Sequence, residues 1–136
     1  MTQVIVYTNE LGGVSVCTPT GEVSIEEVKI KDTPENSIIV DQESLPNEHG
    51  IFFNAWQLDG SVVSINLNKA KTIAHDIRRE ARSTEFAPLD IKATIPSEAT
   101  AAEAARQVVR DKYAAMQTAI DAASTVDEIK AAMPQG

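Results

Sequence analysis

The stretch DGSVVSINLNKAKTIAHDI, residues 59–77, carries the change of period that decides the fold. Its Asp59-Gly60 pair is a strong short-range hairpin signal, because a two-residue turn needs positive φ and glycine adopts it without steric cost. Ala55–Leu58 and Ser61–Leu67 read as the two strands of that hairpin. Beyond them the spacing is different. Ala70, Ile73, Ala74, Ile77 and Ala81 follow i, i+3, i+4, i+7 and i+11, the stripe of a helix resting on a partner. Asn68 can cap its start. Pro88 lacks an N–H and crowds the preceding turn, so it is expected to end or kink this helix near residue 87.

Towards the N-terminus the period is two. Val4 and Val6, then Val14 and Val16, alternate as half-buried strands do. Asn9-Glu10-Leu11-Gly12-Gly13 between them has hairpin chemistry, and Pro19-Thr20-Gly21 ends the second strand. Ser24-Ile-Glu-Glu27 has capping-box spacing, which predicts a short helix over about 24–31, closed by Pro34. Ser37–Val40 suits a buried strand. Asp41–Gly50 is polar, contains Pro46, and reads as a loop with one helical turn. The N-terminal part is therefore expected to have four or five antiparallel strands and one small helix.

Towards the C-terminus the helical period continues. Leu89–Pro96 is a connection. Thr100-Ala-Ala-Glu103 is a second capping box, with Ser97 an alternative cap. Ala101, Ala105, Val108, Val109, Tyr113, Met116, Ile120 and Ala123 then mark one face of a helix about six turns long. Thr125-Val-Asp-Glu128 caps a last short helix that ends before Pro134. The fold class is α+β. A small antiparallel β domain with one short helix spans residues 1–67, and a helical hairpin with a short terminal helix spans 68–136.

Charge divides at the same place. Residues 1–67 hold ten acids (Glu10, Glu22, Glu26, Glu27, Asp32, Glu35, Asp41, Glu43, Glu48 and Asp59) and two bases, Lys29 and Lys31. The remaining residues hold ten of each sign, so the whole net charge of −8 belongs to the β-rich part. Such a domain repels phosphate backbones, and no nucleic-acid partner is expected. It suits either solubility or docking to a basic surface. No apolar run approaches the ~20 residues that span a membrane, and MTQVIVYTNE is not expected to act as a secretory signal. A single cysteine, Cys17, excludes an internal disulfide.

Catalytic and cofactor chemistry finds little material. Cys17 lies in a strand with no basic neighbour to activate it, so it reads as a small hydrophobe. His49 and His75 lack the paired spacing of a metal site or a catalytic dyad. Gly12-Gly13 precedes a strand and has no phosphate-loop lysine. Glu26 and Glu27 are adjacent on a helix and diverge. No serine sits in an elbow motif. The chain is expected not to be an enzyme and to need no metal or cofactor.

Two groups of residues are candidates for protein contacts. Lys71, His75, Arg78 and Arg82 are spaced 4, 3 and 4, which places them on one helical face. Asp76 can pair with Arg79, and Glu85 with Arg82, at i,i+3. The face is either solvated or meets carboxylates on a neighbouring copy or another protein. The second group is Phe52, Phe53 and Trp56, an aromatic cluster in a chain with only 4% aromatics, with Trp56 expected in the core. The Ala-rich helical stripes bury little area at ~25 cal/mol per Å², which favours an oligomer or assembly subunit.

Phe52-Phe53-Asn54-Ala55-Trp56, the hairpin at Asp59-Gly60, Lys69-Ala70-Lys71, Ile73-Ala74-His75-Asp76 and Arg78-Arg79 form a succession that resembles small tailed-bacteriophage proteins associated with tails and tail fibres, described as tail-fibre assembly or tail assembly chaperone-like. The ends are similar too: Val4-Ile5-Val6-Tyr7, Gly13-Val14, Pro19, Gly21-Glu22 and the Ser24–Val28 helix at the start, and Ile120-Asp121-Ala122-Ala123 with Val126-Asp127-Glu128-Ile129-Lys130-Ala131 at the close. The resemblance covers most of the chain and supplies no catalytic residues. It implies a multi-copy virion structural protein of the tail, neck or fibre-attachment region, assembled in the host cytoplasm. The alternative is an assembly chaperone not retained in the mature particle. Its partners are then other copies of itself or other tail or fibre proteins.

Overall fold

Asn9 and Gly12 build the first turn. In the computed structural model, which describes residues 2–134, the Asn9 side-chain oxygen accepts from the backbone N–H groups of Leu11 and Gly13 at 3.0 and 3.1 Å. Gly12 takes φ +82°, the left-handed region that a side chain would strain. The turn joins β1 (Gln3–Thr8) to β2 (Val14–Cys17), with Val6 opposite Val16 and Thr8 opposite Val14. β1 is central, because its other edge pairs with β3 (Ile38–Asp41), Val4 opposite Val40 and Val6 opposite Ile38. Both pairings are antiparallel. Ile5 is fully buried although it points away from Val4 and Val6. A helix, α1 (Ile25–Asp32), packs against β1 and buries its own Val28. The Ser24 Oγ accepts from the Glu27 N–H at 3.3 Å, the cap that the Ser-x-x-Glu spacing predicts.

The remaining two strands, β4 (Trp56–Asp59) and β5 (Val62–Ile65), form a separate two-stranded sheet around Gly60 at φ +61°. Val4, Val6, Val14, Leu45, Trp56 and Val63 make one core cluster, so residues of both sheets share it. The segment before β4 is more ordered than the sequence suggests. It forms 3₁₀ turns at Gln42–Ser44 and Asn47–Ala55, and Leu45 between them is drawn into the core.

The chain divides into two compact units between Lys69 and Ala70. Three helices follow the sheets: α2 (Leu67–Lys92), α3 (Ala99–Ala122) and α4 (Val126–Ala132). Strands lie within residues 3–65 and long helices after them, which makes the fold α+β. The Asn66 side chain accepts from the Lys69 N–H at 3.0 Å, so Asn66 rather than Asn68 caps α2. Pro88 does not end α2, which continues to Lys92. Pro88 and Thr84, whose carbonyl loses its helical donor, are both exposed residues, a position where the lost bond costs less than it would in a core.

Neither Ser97 nor Thr100 caps α3. Successive turns, with Ile95 N–H bonded to the Lys92 carbonyl and Glu98 N–H to that of Ile95, feed the chain into the helix through Glu98 in a helical conformation. A side-chain cap needs an extended residue there. The buried stripe of α3 is Ala102, Val109, Tyr113 and Ile120, while Ala101 and Val108 are exposed. Thr125 Oγ1 accepts from the Glu128 N–H at 3.1 Å and caps α4, as its spacing predicts. Ile129 of α4 is fully buried, and α4 packs against α3.

Candidate interaction surface

The basic face of α2 does meet a carboxylate, and it is one from the same helical unit. The Lys71 Nζ donates to the backbone carbonyl of Asp121 at 2.9 Å, and His75 Nε2 lies 2.8 Å from the Asp121 Oδ1. Arg78 Nε donates to His75 Nδ1 at 3.2 Å. That donation requires a lone pair on Nδ1, so the proton of a neutral His75 sits on Nε2 and faces Asp121. Asp121 stands in the last turn of α3, where free carbonyls concentrate negative charge. Lys71 and His75 answer both the exposed carbonyl and the misplaced acid. An acid in the last turn of a predicted helix is the signal that could have revealed this meeting point, since the helix dipole disfavours it there.

The fourth member, Arg82, stands apart from that junction. Its guanidinium lies over the Phe86 ring, 4.6 Å from the centroid. Asp76 pairs with Arg79 at 3.1 Å, as the i,i+3 spacing predicts. Glu85 does not pair with Arg82. It receives Lys112 of α3 at 2.7 Å instead. That bond holds the Glu85 carboxyl below its ordinary range. Beside it, burial and then the nearby carboxylate push the Tyr113 phenol up to about 12. Arg106 meets Asp90 at 3.1 Å, and Glu103 accepts from both Arg106 and Arg110. Going up α2, the partners His75, Glu85 and Asp90 meet Asp121, Lys112 and Arg106 going down α3, the register of an antiparallel hairpin. Sequence reasoning did not single out any of these α3 partners, because cross-helix register is invisible to spacing within one helix.

Arg78 is the unusual member. It is only 6% exposed. Burial lowers its pKa, Arg79 and Arg82 lower it further, and Asp121 is the one opposing charge. Arg78, Arg79, Arg82 and Arg110 line a groove of about 460 Å³ together with Ser83, Tyr113 and Gln117.

The aromatic candidates belong to the first unit. Phe52 is fully buried and Trp56 sits in the core cluster. Phe53 packs against Trp56 in a tilted arrangement, with ring centroids 4.7 Å apart and planes 39° to each other, and remains 41% exposed. The Trp56 Nε1 is buried with no hydrogen-bond partner among the described residues.

Among the described residues no group of three or more His, Cys, Asp or Glu could hold a metal ion. No described helix is long and apolar enough to cross a membrane. No family model matches the chain, and no curated protein or solved structure proves similar to it.

Proposed function

We propose that this chain is a non-enzymatic structural subunit of a tailed-bacteriophage particle, present in multiple copies in the tail, neck or fibre-attachment region and acting through protein–protein contacts. Phe53 is the observation that carries this reading. The fold anchors its ring on the core Trp56 yet leaves much of it in solvent, and Ile51 of the same 3₁₀ segment is exposed as well. Aromatic side chains held rigidly at a surface are the usual anchors of protein interfaces. Phe53 also lies within the Phe52–Trp56 stretch on which the resemblance to phage tail proteins rests.

Mass spectrometry of purified particles tests the proposal, with the chain expected at a stoichiometry of several copies. Its absence from particles, with its presence in lysates, would instead make it an assembly factor that leaves before maturation.

A further inference from the structure

We propose that the arginine groove between α2 and α3 is a carboxylate-binding dock, and that its occupant is the acidic start of α1 from a second copy of this chain. The argument begins with Arg78. The residue as a whole is only 6% exposed, it lines the groove, and among the described residues its Nε donates to an imidazole nitrogen rather than to a carboxylate. Among the described residues no carboxylate forms an ion pair with it. Asp121, the one acid that acts on it, is already bonded to His75. A buried cation flanked by two further cations is costly unless an anion completes it.

The groove supplies the rest of a carboxylate site. Arg82 lies one turn further along the same face, exposed, resting on Phe86 and also without a carboxylate. Arg79 and Arg110 stand on its walls, each already shared with an acid on its own helix. Ser83, Tyr113 and Gln117 add polar groups beside the two unpaired guanidiniums. Two arginines four residues apart on one helical face both line the groove, a spacing that suits two carboxylates on one helical turn better than a point anion.

The chain itself holds the complement. Of the ten acids in residues 1–67, the one in an ion pair among the described residues is Glu48, with His49. Glu22, Glu26 and Glu27 gather three carboxylates at the start of α1 with no base among them, all exposed. Val23 and Ile30 are exposed around them, and Ile30 is 81% so. These apolar groups give such a contact area to bury beside the charge. Polyanionic nucleic acid fits less well, because Asp76 and Glu103 hold two of the four arginines and the whole chain carries −8.

This inference rests on the proposal that the protein works as a multi-copy subunit, but the two can fail separately. Sedimentation velocity on the full chain is the test, with a labelled oligonucleotide as a parallel arm. The wild type is expected to self-associate at low salt and to lose at least tenfold in association constant in ~1 M salt, where screening acts within ~3 Å. Arg82→Glu, an exposed change whose helical circular dichroism should be intact, is expected to weaken association at least tenfold. Glu26→Arg with Glu27→Arg should do the same. Mixing the two variants should restore a heterodimer, because each then offers the charge the other lacks. A monomeric wild type overturns the dock, as does association indifferent to Arg82→Glu or a groove that captures the oligonucleotide instead. The chain's presence or absence in particles decides the structural role independently of these results.

Discussion

Replacing Trp56 by phenylalanine and by alanine should give sharply different costs, and the difference follows from one unpaired atom. Trp56 belongs to the core cluster with Val4, Val6, Val14, Leu45 and Val63. A buried tryptophan removes ~150–250 Å² from water, worth ~4–6 kcal/mol at ~25 cal/mol per Å². An extended-chain reference overstates such burial, so Trp56→Ala is expected to cost ~3–5 kcal/mol, the range seen for large aromatics. Trp56→Phe keeps a ring in the same place. It loses about two apolar ring positions, ~1–1.5 kcal/mol. It also removes the Nε1–H, which is buried without a protein acceptor, and an unpaired buried donor costs ~1–3 kcal/mol. The two terms nearly cancel, and Trp56→Phe should lie within ~1 kcal/mol of wild type. Because the chain has two compact units, the readout must be local. Peptide-resolved hydrogen exchange over β1 and β5 supplies it, since protection there reports opening of the shared core. Loss of protection in Trp56→Phe as large as in Trp56→Ala would refute the reasoning, for it would mean that the indole N–H contributes to stability.

Two further predictions concern the helices. Tyr113 has its phenol raised from 10.0 to about 12 by burial and by Glu85. A raised folded-state value contributes stability that is complete below the unfolded pKa and is lost as pH rises through the folded one. The helical unit should therefore weaken between pH 10 and about 12, and Tyr113→Phe should flatten that loss; identical alkaline melting curves for both proteins would contradict this. Pro88→Ala restores an N–H opposite the Thr84 carbonyl in an exposed part of α2. It should raise thermal stability of the helical unit by ~1–3 kcal/mol, and an unchanged or lowered melting temperature would show that the proline fits α2 without cost.

The fold was legible wherever a local rule had no competitor. Ser24 and Thr125 cap their helices because each stands immediately before a helix with an acid three residues on, so spacing alone decides the geometry. Of the two outcomes expected at Pro88, an end or a kink, the helix does not take the first, since the rule against internal proline sets a cost and not a stop. On α2 both Pro88 and Thr84 are exposed residues, and the helix passes through. Glu103 misled. Its capping role needed an extended residue at the start of α3, and it serves Arg106 and Arg110 instead. The split into two sheets was not legible, because the alternation that marks a strand says nothing about which other strand it joins.

The candidate surface shows the same limit from the side of function. A 4, 3, 4 spacing is enough to put Lys71, His75, Arg78 and Arg82 on one face, and it cannot say what that face meets. Two of them, Lys71 and His75, reach Asp121, so much of the basic character is consumed in closing the helical hairpin. What is left for a partner is narrower than the sequence suggests: Arg78 and Arg82, one buried and one exposed, neither with a carboxylate among the described residues. A solvated face would put both guanidiniums in water, where an unpaired cation costs little. Arg78 is instead a mostly buried residue between Arg79 and Arg82, with burial and both neighbours lowering its pKa and Asp121 opposing them. Its bond to His75 fixes the side chain without supplying a carboxylate, and the proposed dock would supply one.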